Sequence, residues 1–281
     1  MQQRGQITRS PDDGSREIAE IIEKVSTLPP SPSFLPDWPE ALRALPNEII
    51  RSALFNARNR KIPRVYLKDV DIAVIGDGQI TYRGEELRQD DELVWIHLLH
   101  LAKKKQLGQS IEFTPYSFVK ELGWPMTGQS YLRLRTCLAR MQATSISLKS
   151  NRLGIGISVS LIHEFIWADE NSRTLGKWQV WISPKMQELF EDRCYTTMDW
   201  EKHKQLPRGI ASRLHGYWSS HRDPFPIKVE SLKRLCGLEM SNKHFKVKLV
   251  EALFILKSIG FLREWAFVSA GPDEKLVIER K

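Results

Sequence analysis

Hydrophobic positions along the chain fall into helical and alternating windows, and the series of windows occurs twice. In LRQDDELVWIHLLHLAKKK, Leu93, Ile96 and their apolar neighbours through Leu101 recur at helical spacing. Asp90 and Asp91 stand near the start of this predicted helix and three lysines near its end, charges that suit the helix dipole. An extended piece over 110–113 leads through Thr114 and Pro115 into a helix over 116–122, with Pro115 suited to the first helical position and Gly123 to the stop. A third helix over 129–141 gathers Tyr131, Leu134, Cys137, Leu138 and Met141 on one face and leaves Gln129, Arg133, Thr136 and Arg140 on the other. Beyond it Ile146 and Leu148, then Ile155, Ile157, Val159 and Leu161, alternate with polar or small residues across a Ser-Asn-Arg-Leu-Gly turn, which predicts a β-hairpin.

The second series has a helix over 208–219, an extended PFPIK, a helix over 230–236 and a third over 242–257. Ser241 is its expected N-cap, with Phe245, Leu249, Ala252, Leu253 and Leu256 on the buried side. Strands over 261–268 and 275–279 close the series through SAGPDE. At the 114-residue offset that carries Gly123 to Gly237, Phe113 falls on Ile227, Phe118 on Leu232, Leu122 on Cys236, Tyr131 on Phe245 and Leu148 on Leu262. Such a period is too long for a solenoid unit, so it signals a duplicated domain. Three helices followed by a β-hairpin make a winged helix. The expected fold is therefore α+β, with tandem winged-helix domains (helix-turn-helix plus β-hairpin wing): 38–198 with an N-terminal extension, and 199–281. Residues 1–37, rich in Ser, Pro and charge, read as a flexible tail with one short amphipathic helix over 16–25.

Composition sharpens this picture only locally. The chain has 281 residues, 41% hydrophobic and 27% charged, which excludes wholesale disorder. No run approaches the roughly 18 apolar residues of a membrane helix, and the first residues lack the apolar core of a signal peptide, so a cytoplasmic location is expected. Cys137, Cys194 and Cys236 are scattered and read as buried thiols. The net charge of +8 divides into +1 over residues 1–200 and +7 over 201–281. Two further windows lack acids: one holds Arg51, Arg58, Arg60, Lys61, Arg64 and Lys68, the other Arg133, Arg135, Arg140, Lys149 and Arg152. Clustered cations suit a polyanion such as DNA, although a solvated face explains charge alone equally well.

Catalytic patterns are weak. No HxH pair of a nicking enzyme and no GxxxxGK[ST] loop occurs. His97 and His100 in HLLH lie on a leucine-rich helix and read as packed histidines. GIGIS lacks the third glycine of a dinucleotide loop. Asp90, Asp91 and Glu92 are accounted for by the helix dipole rather than by two metals, and the tryptophans, among them Trp95, Trp124, Trp178 and Trp181, by core packing. Neither a cofactor nor a metal is expected, and no enzymatic activity.

Longer strings carry a resemblance. LPNEIIRSALFNARNRKIPR, ITYRGEELRQDDELVW, ARMQATSISL, WEKHKQLPRG and YWSSHRDPFPIKVESLKRLCG resemble the TrfA family of plasmid replication initiators, known from IncP-type plasmids, from about Trp38 to the C-terminus. The resemblance implies binding to iteron repeats of double-stranded origin DNA and opening of the adjacent A+T-rich duplex, with single-stranded origin DNA a further ligand. It also implies cooperation with host DnaA, loading of the DnaB helicase and contact with the polymerase sliding clamp, and it leaves a homodimer open. The chain departs from the family at its clamp-binding segment of the form QLSLF, where it has Pro30, Ser31, Pro32, Ser33, Phe34 and Leu35 and lacks the leading Gln.

In a helix-turn-helix the second helix of the pair enters the major groove. The spacing thus assigns DNA contact to Gln129, Arg133, Thr136 and Arg140 in the first domain and to Asn242, Lys243 and Lys246 in the second. Lys149 and Arg152 on the expected wing suit phosphates. The alternative is a winged-helix transcriptional repressor that binds an operator and leaves the duplex closed.

Overall fold

Burial sorts the apolar residues into two cores, one running from Leu35 to Trp200 and the other from Leu206 to Ile278 with Ala57 added from far upstream. The computed structural model describes residues 33–154, 156–270 and 273–281; the expected helix over 16–25, Pro30 to Pro32 and Ile155 lie outside them. Leu35, expected in the tail, is buried in the first core, and Phe34 bridges to Gln106, so the fold already includes these residues.

The N-terminal extension consists of β1 (Leu42–Pro46), α1 (Asn47–Ile50), β2 (Phe55–Asn56), the antiparallel pair β3 (Tyr66–Ile72) and β4 (Gln79–Glu85), and β5 (Leu87–Arg88). Then follow α2 (Gln89–Ala102), β6 (Ile111–Phe113), α3 (Pro115–Glu121), α4 (Gly128–Gln142), β7 (Ser145–Lys149), β8 (Gly156–Val159), β9 (Glu164–Ala168) and β10 (Thr174–Trp181). A stretch of 3-10 turns over Pro184–Arg193 leads to β11 (Tyr195–Asp199), which pairs with β1, and to α5 (Trp200–Gln205). The second series is α6 (Ile210–Ser219), β12 (Ile227–Lys228), α7 (Val229–Leu235), α8 (Asn242–Ser258), β13 (Leu262–Ala270) and β14 (Asp273–Arg280).

Local chemistry explains the helix ends. Thr114 accepts from the Ser117 amide at 3.1 Å with Pro115 behind it, and Ser241 caps α8 by accepting from the His244 amide at 3.3 Å. Gly123 and Gly237 both take positive φ, 67° and 63°, directly after α3 and α7. Gly237 is doubly required, because a Cβ there would stand 2.6 Å from that of Asn56.

The hairpin expected as the first wing forms, but in another sheet. β7 pairs with β8 on one side and with β4 on the other, with Ile80 opposite Leu148 and Tyr82 opposite Ile146, giving the order β3-β4-β7-β8. The strand that pairs back on β6 is β10, with Phe113 opposite Trp178, just as β12 pairs with β14 with Ile227 opposite Leu276. The sheet orders β6-β10-β9 and β12-β14-β13 therefore correspond. Only 98 residues separate Trp178 from Leu276, sixteen fewer than the 114 between Phe113 and Ile227, and β7–β8 is the inserted segment. Leu148 and Leu262 are not equivalent. Alternation specifies a strand and its buried face but not the sheet that receives it.

The two cores are joined by polar contacts as well as by Ala57. The Ala57 amide donates to the Cys236 carbonyl at 2.8 Å. Arg213, 1% exposed, donates to the carbonyls of Ile50 and Ser52 and lies 3.5 Å from Glu92. Gln89 exchanges hydrogen bonds with the backbone of Gly209, and Arg58 reaches the Gly237 carbonyl and Glu239.

Four histidines occupy the interior. His97 packs edge-on to Phe118 at 4.6 Å, and His100 accepts from the Trp38 indole at 3.1 Å, so the HLLH pair packs as its leucine-rich setting suggests. His203 and His215 approach Nδ1 to Nδ1 at 3.1 Å. Burial, aided by Arg43 and His100, depresses the His97 pKa to about 3; burial, aided by Arg280, depresses that of His215 to about 4; and burial and His215 push His203 in the same direction. These groups are neutral in the fold and titrate near 6.5 when unfolded. Their contribution to stability is complete above pH 6.5 and is lost as pH falls towards 4, on the order of a few kcal/mol. Urea titrations from pH 7 to pH 4 should show this loss, and His97→Leu should flatten it; an unchanged slope in that variant would exclude His97 as a contributor.

Candidate nucleic-acid interface

The acidic start of α2 is an anchor for arginines from three directions. Asp91, fully buried, accepts from the Arg88 amide at 2.8 Å, from Arg64 at 2.8 Å and from Arg140 at 2.5 Å. Asp90 pairs with Arg133 at 2.8 Å and Glu92 faces Arg213. The dipole explanation is thus incomplete: each carboxylate also fixes a cation on another element.

This anchoring changes the list of expected DNA contacts. Arg140 is only 8% exposed and bonded to Asp91; burial alone would lower its pKa, but the Asp91 and Glu85 carboxylates raise it above the usual guanidinium value. It is a structural cation, withdrawn from the surface. Arg152 is bound to Glu48 at 2.6 Å and to the Glu188 carbonyl, and both it and Lys149 belong to the β7–β8 hairpin, away from the β9–β10 position. Lys149 is exposed at the end of β7. Lys246 is held by Glu274 of β14 at 2.5 Å and lies over the Phe267 ring. Arg133 is partly exposed, lying 4.0 Å over the Trp124 ring while paired with Asp90. Gln129, Thr136, Asn242 and Lys243 are exposed as expected, although the Thr136 hydroxyl donates back to the Leu132 carbonyl and Asn242 accepts from Lys233.

Burial also corrects the register between the two third helices. Ser130, Leu134, Cys137, Leu138 and Met141 of α4 are buried where α8 buries Phe245, Leu249, Ala252, Leu253 and Leu256, a constant offset of 115. On that register Gln129 matches His244, Leu132 matches Val247, Arg133 matches Lys248 and Thr136 matches Glu251. The exposed strip of α8 is thus Lys243, His244, Val247, Lys248 and Glu251, of which only Lys243 was expected. The one-residue slip hid the others, and the acid-free run from Ser241 to Val250 was the signal that could have found His244 and Lys248.

One residue of the α4 strip and two of the α8 strip border a common cleft. A cleft of about 890 Å³ is bordered by Arg133 of α4 and by Lys248, Glu251 and Ile255 of α8, with Arg60 and Arg208 on its other walls. Arg208 is occupied by the carbonyls at the end of α5, whereas Arg60 and Lys248 have no carboxylate partner among the described residues. In the N-terminal basic window Arg51, Arg58 and Arg64 are likewise spent on Ser220, Glu86 and Asp91, which leaves Arg60, Lys61 and Lys68 at the surface.

A family profile described as TrfA protein matches residues 26–273. The chain belongs to the TrfA family. It is 41% identical over 235 residues to the plasmid replication initiator protein TrfA of Escherichia coli, an alignment that spans 83% of this chain and 61% of that relative. In fold, this TrfA-family chain is similar to crystal structures of domains 2 and 3 of RctB. The TM-scores are 0.58 and 0.53 at 12% and 13% identity, over 84% of this chain and 98% and 97% of those chains.

Proposed function

We propose that this TrfA-family chain initiates plasmid replication by binding origin repeats with two winged helices. In this reading α3–α4 and α7–α8 are the helix-turn-helix pairs, with β9–β10 and β13–β14 as wings. The observation that carries it is the pair of third helices. They share one burial register, and each leaves a polar and partly basic strip exposed, as a helix that reads the major groove requires. Contacts to bases fall to Gln129, Arg133 and Thr136 on α4 and to Lys243, His244 and Lys248 on α8. Arg60, Lys61 and Lys68 are placed for phosphates.

The relative's name supports initiation. Opening of an A+T-rich duplex, single-stranded DNA binding, recruitment of DnaA and DnaB, and homodimer formation are parts of the same proposal. Clamp contact through Phe34 and Leu35 is left out of it, since Leu35 is 4% exposed and committed to the first core.

The test is footprinting on the origin of the plasmid that encodes the chain, followed by probing of supercoiled DNA with a single-strand reagent. One chain should protect about 20 base pairs, two groove centres about 10 base pairs apart, and unpaired bases should appear beside the repeats. Protection without unpairing would favour a repressor. A protein–DNA covalent product would point to nicking.

A further inference from the structure

Two of the exposed large apolar side chains lie at matching places in the two halves of the chain. Leu132 on α4 is 46% exposed and Val247 on α8 is 57% exposed. On the 115-residue register set by the buried faces they are the same position. Each stands in the middle of the polar strip, Leu132 between Gln129, Arg133 and Thr136, Val247 between Lys243, His244, Lys248 and Glu251. An apolar side chain in such a setting gains free energy when a ligand takes its surface out of water, and the surrounding cations suit an anionic ligand. Glu251 is the acid on the strip, and its carboxylate can accept from the exocyclic amine of cytosine.

Resting on the DNA-binding reading above, we infer that Leu132 and Val247 each cover the 5-methyl group of a thymine in the major groove, so that each helix discriminates thymine through one apolar contact. In the major groove thymine alone presents a methyl group, and an aliphatic side chain is its natural complement. Flanking Gln129 and Arg133, or His244 and Lys248, then read donors and acceptors on the neighbouring base pairs. The two contacts belong to half-sites about one helical turn apart.

The test uses the full chain and a duplex enriched by it from a random pool. Each thymine is replaced singly by deoxyuridine, which keeps the pairing edge and removes only the methyl. Removal at the contacted thymine of each half-site should weaken binding about fourfold, which corresponds to the ~0.8 kcal/mol of one buried methyl-sized group. Leu132→Ser should abolish the penalty in one half-site and Val247→Ser in the other, with the thermal unfolding midpoint of both variants close to that of the parent, a control that both fold. A penalty relieved by one variant alone keeps that helix and overturns the claim for the other. Should no thymine show a penalty, or should penalties survive in both variants, the inference is wrong while the DNA-binding reading stands. If the pool yields no enriched duplex, that reading falls and the inference with it.

Discussion

Asp91→Ala is expected to lower the unfolding free energy by about 3–5 kcal/mol, the cost of leaving buried charge without its partner. Asp91 is fully buried and receives Arg64, Arg140 and the Arg88 amide, so its loss takes the buried carboxylate from two guanidinium groups and uncaps α2. Arg140 and Arg64 have Glu85 as a second carboxylate at 3.3 and 3.8 Å, but Glu85 is 44% exposed and screened by water. Asp90→Ala makes the comparison, since its ion pair with Arg133 is 14% and 29% exposed on its two sides and Arg133 keeps its stacking on Trp124. That change should cost about 1 kcal/mol or less. Urea denaturation of both variants checks the ranking. A loss below 1 kcal/mol for Asp91→Ala would show that water reaches the cluster. The same measurement separates fold from function, because Arg140→Ala should act chiefly on stability while Lys248→Ala should leave stability intact and weaken DNA binding.

The second large effect is on DNA affinity. With six to ten phosphate contacts, binding should fall roughly a thousandfold or more between 50 and 200 mM salt. The expectation rests on surface cations that the fold leaves unneutralised, among them Arg60, Lys61, Lys243 and Lys248, and on the +7 carried by residues 201–281. Anisotropy titrations on one duplex across that range give the slope directly. Lys248→Ala should reduce the slope by about one if its ammonium meets a phosphate and leave it nearly unchanged if it meets a base edge. A flat response in the parent protein would mean that the cations do not face DNA.

Much of the architecture was legible because it depends on local patterns. The periodicity around Leu93, the Thr114–Pro115 entry, the Gly123 and Gly237 stops and the Ser241 cap each act within a few residues, and all of them hold in the structure. The destination of the 145–161 hairpin was not legible. Its alternation suits either sheet, and the choice is made by β4, about 65 residues upstream in sequence. The candidate site suffered from a related blindness. Arg133, Arg140 and Lys246 were identified as cations on the correct helices and Arg152 on a hairpin that joins another sheet, but their carboxylate partners lie 28 to 104 residues away along the chain. Helical spacing reveals which face a residue occupies. It does not reveal whether a distant acid has already claimed it. Leu132 and Val247 were passed over for the opposite reason, because apolar residues on a helix are read as core unless burial says otherwise.

The bonds that tie residues 50–58 to the second core carry a cost during synthesis. Arg58 and Gly237 stand 179 residues apart, and a ribosome adding about 5–20 residues per second needs some 10 to 35 s to cover that distance. Until residues 206–278 have been made, the apolar surface around Ala57 and the carbonyls of Ile50 and Ser52 lack the partners that cover them in the fold. A chaperone that shields this segment would therefore raise the yield of active chains, and slower translation of the last third of the message would lower it.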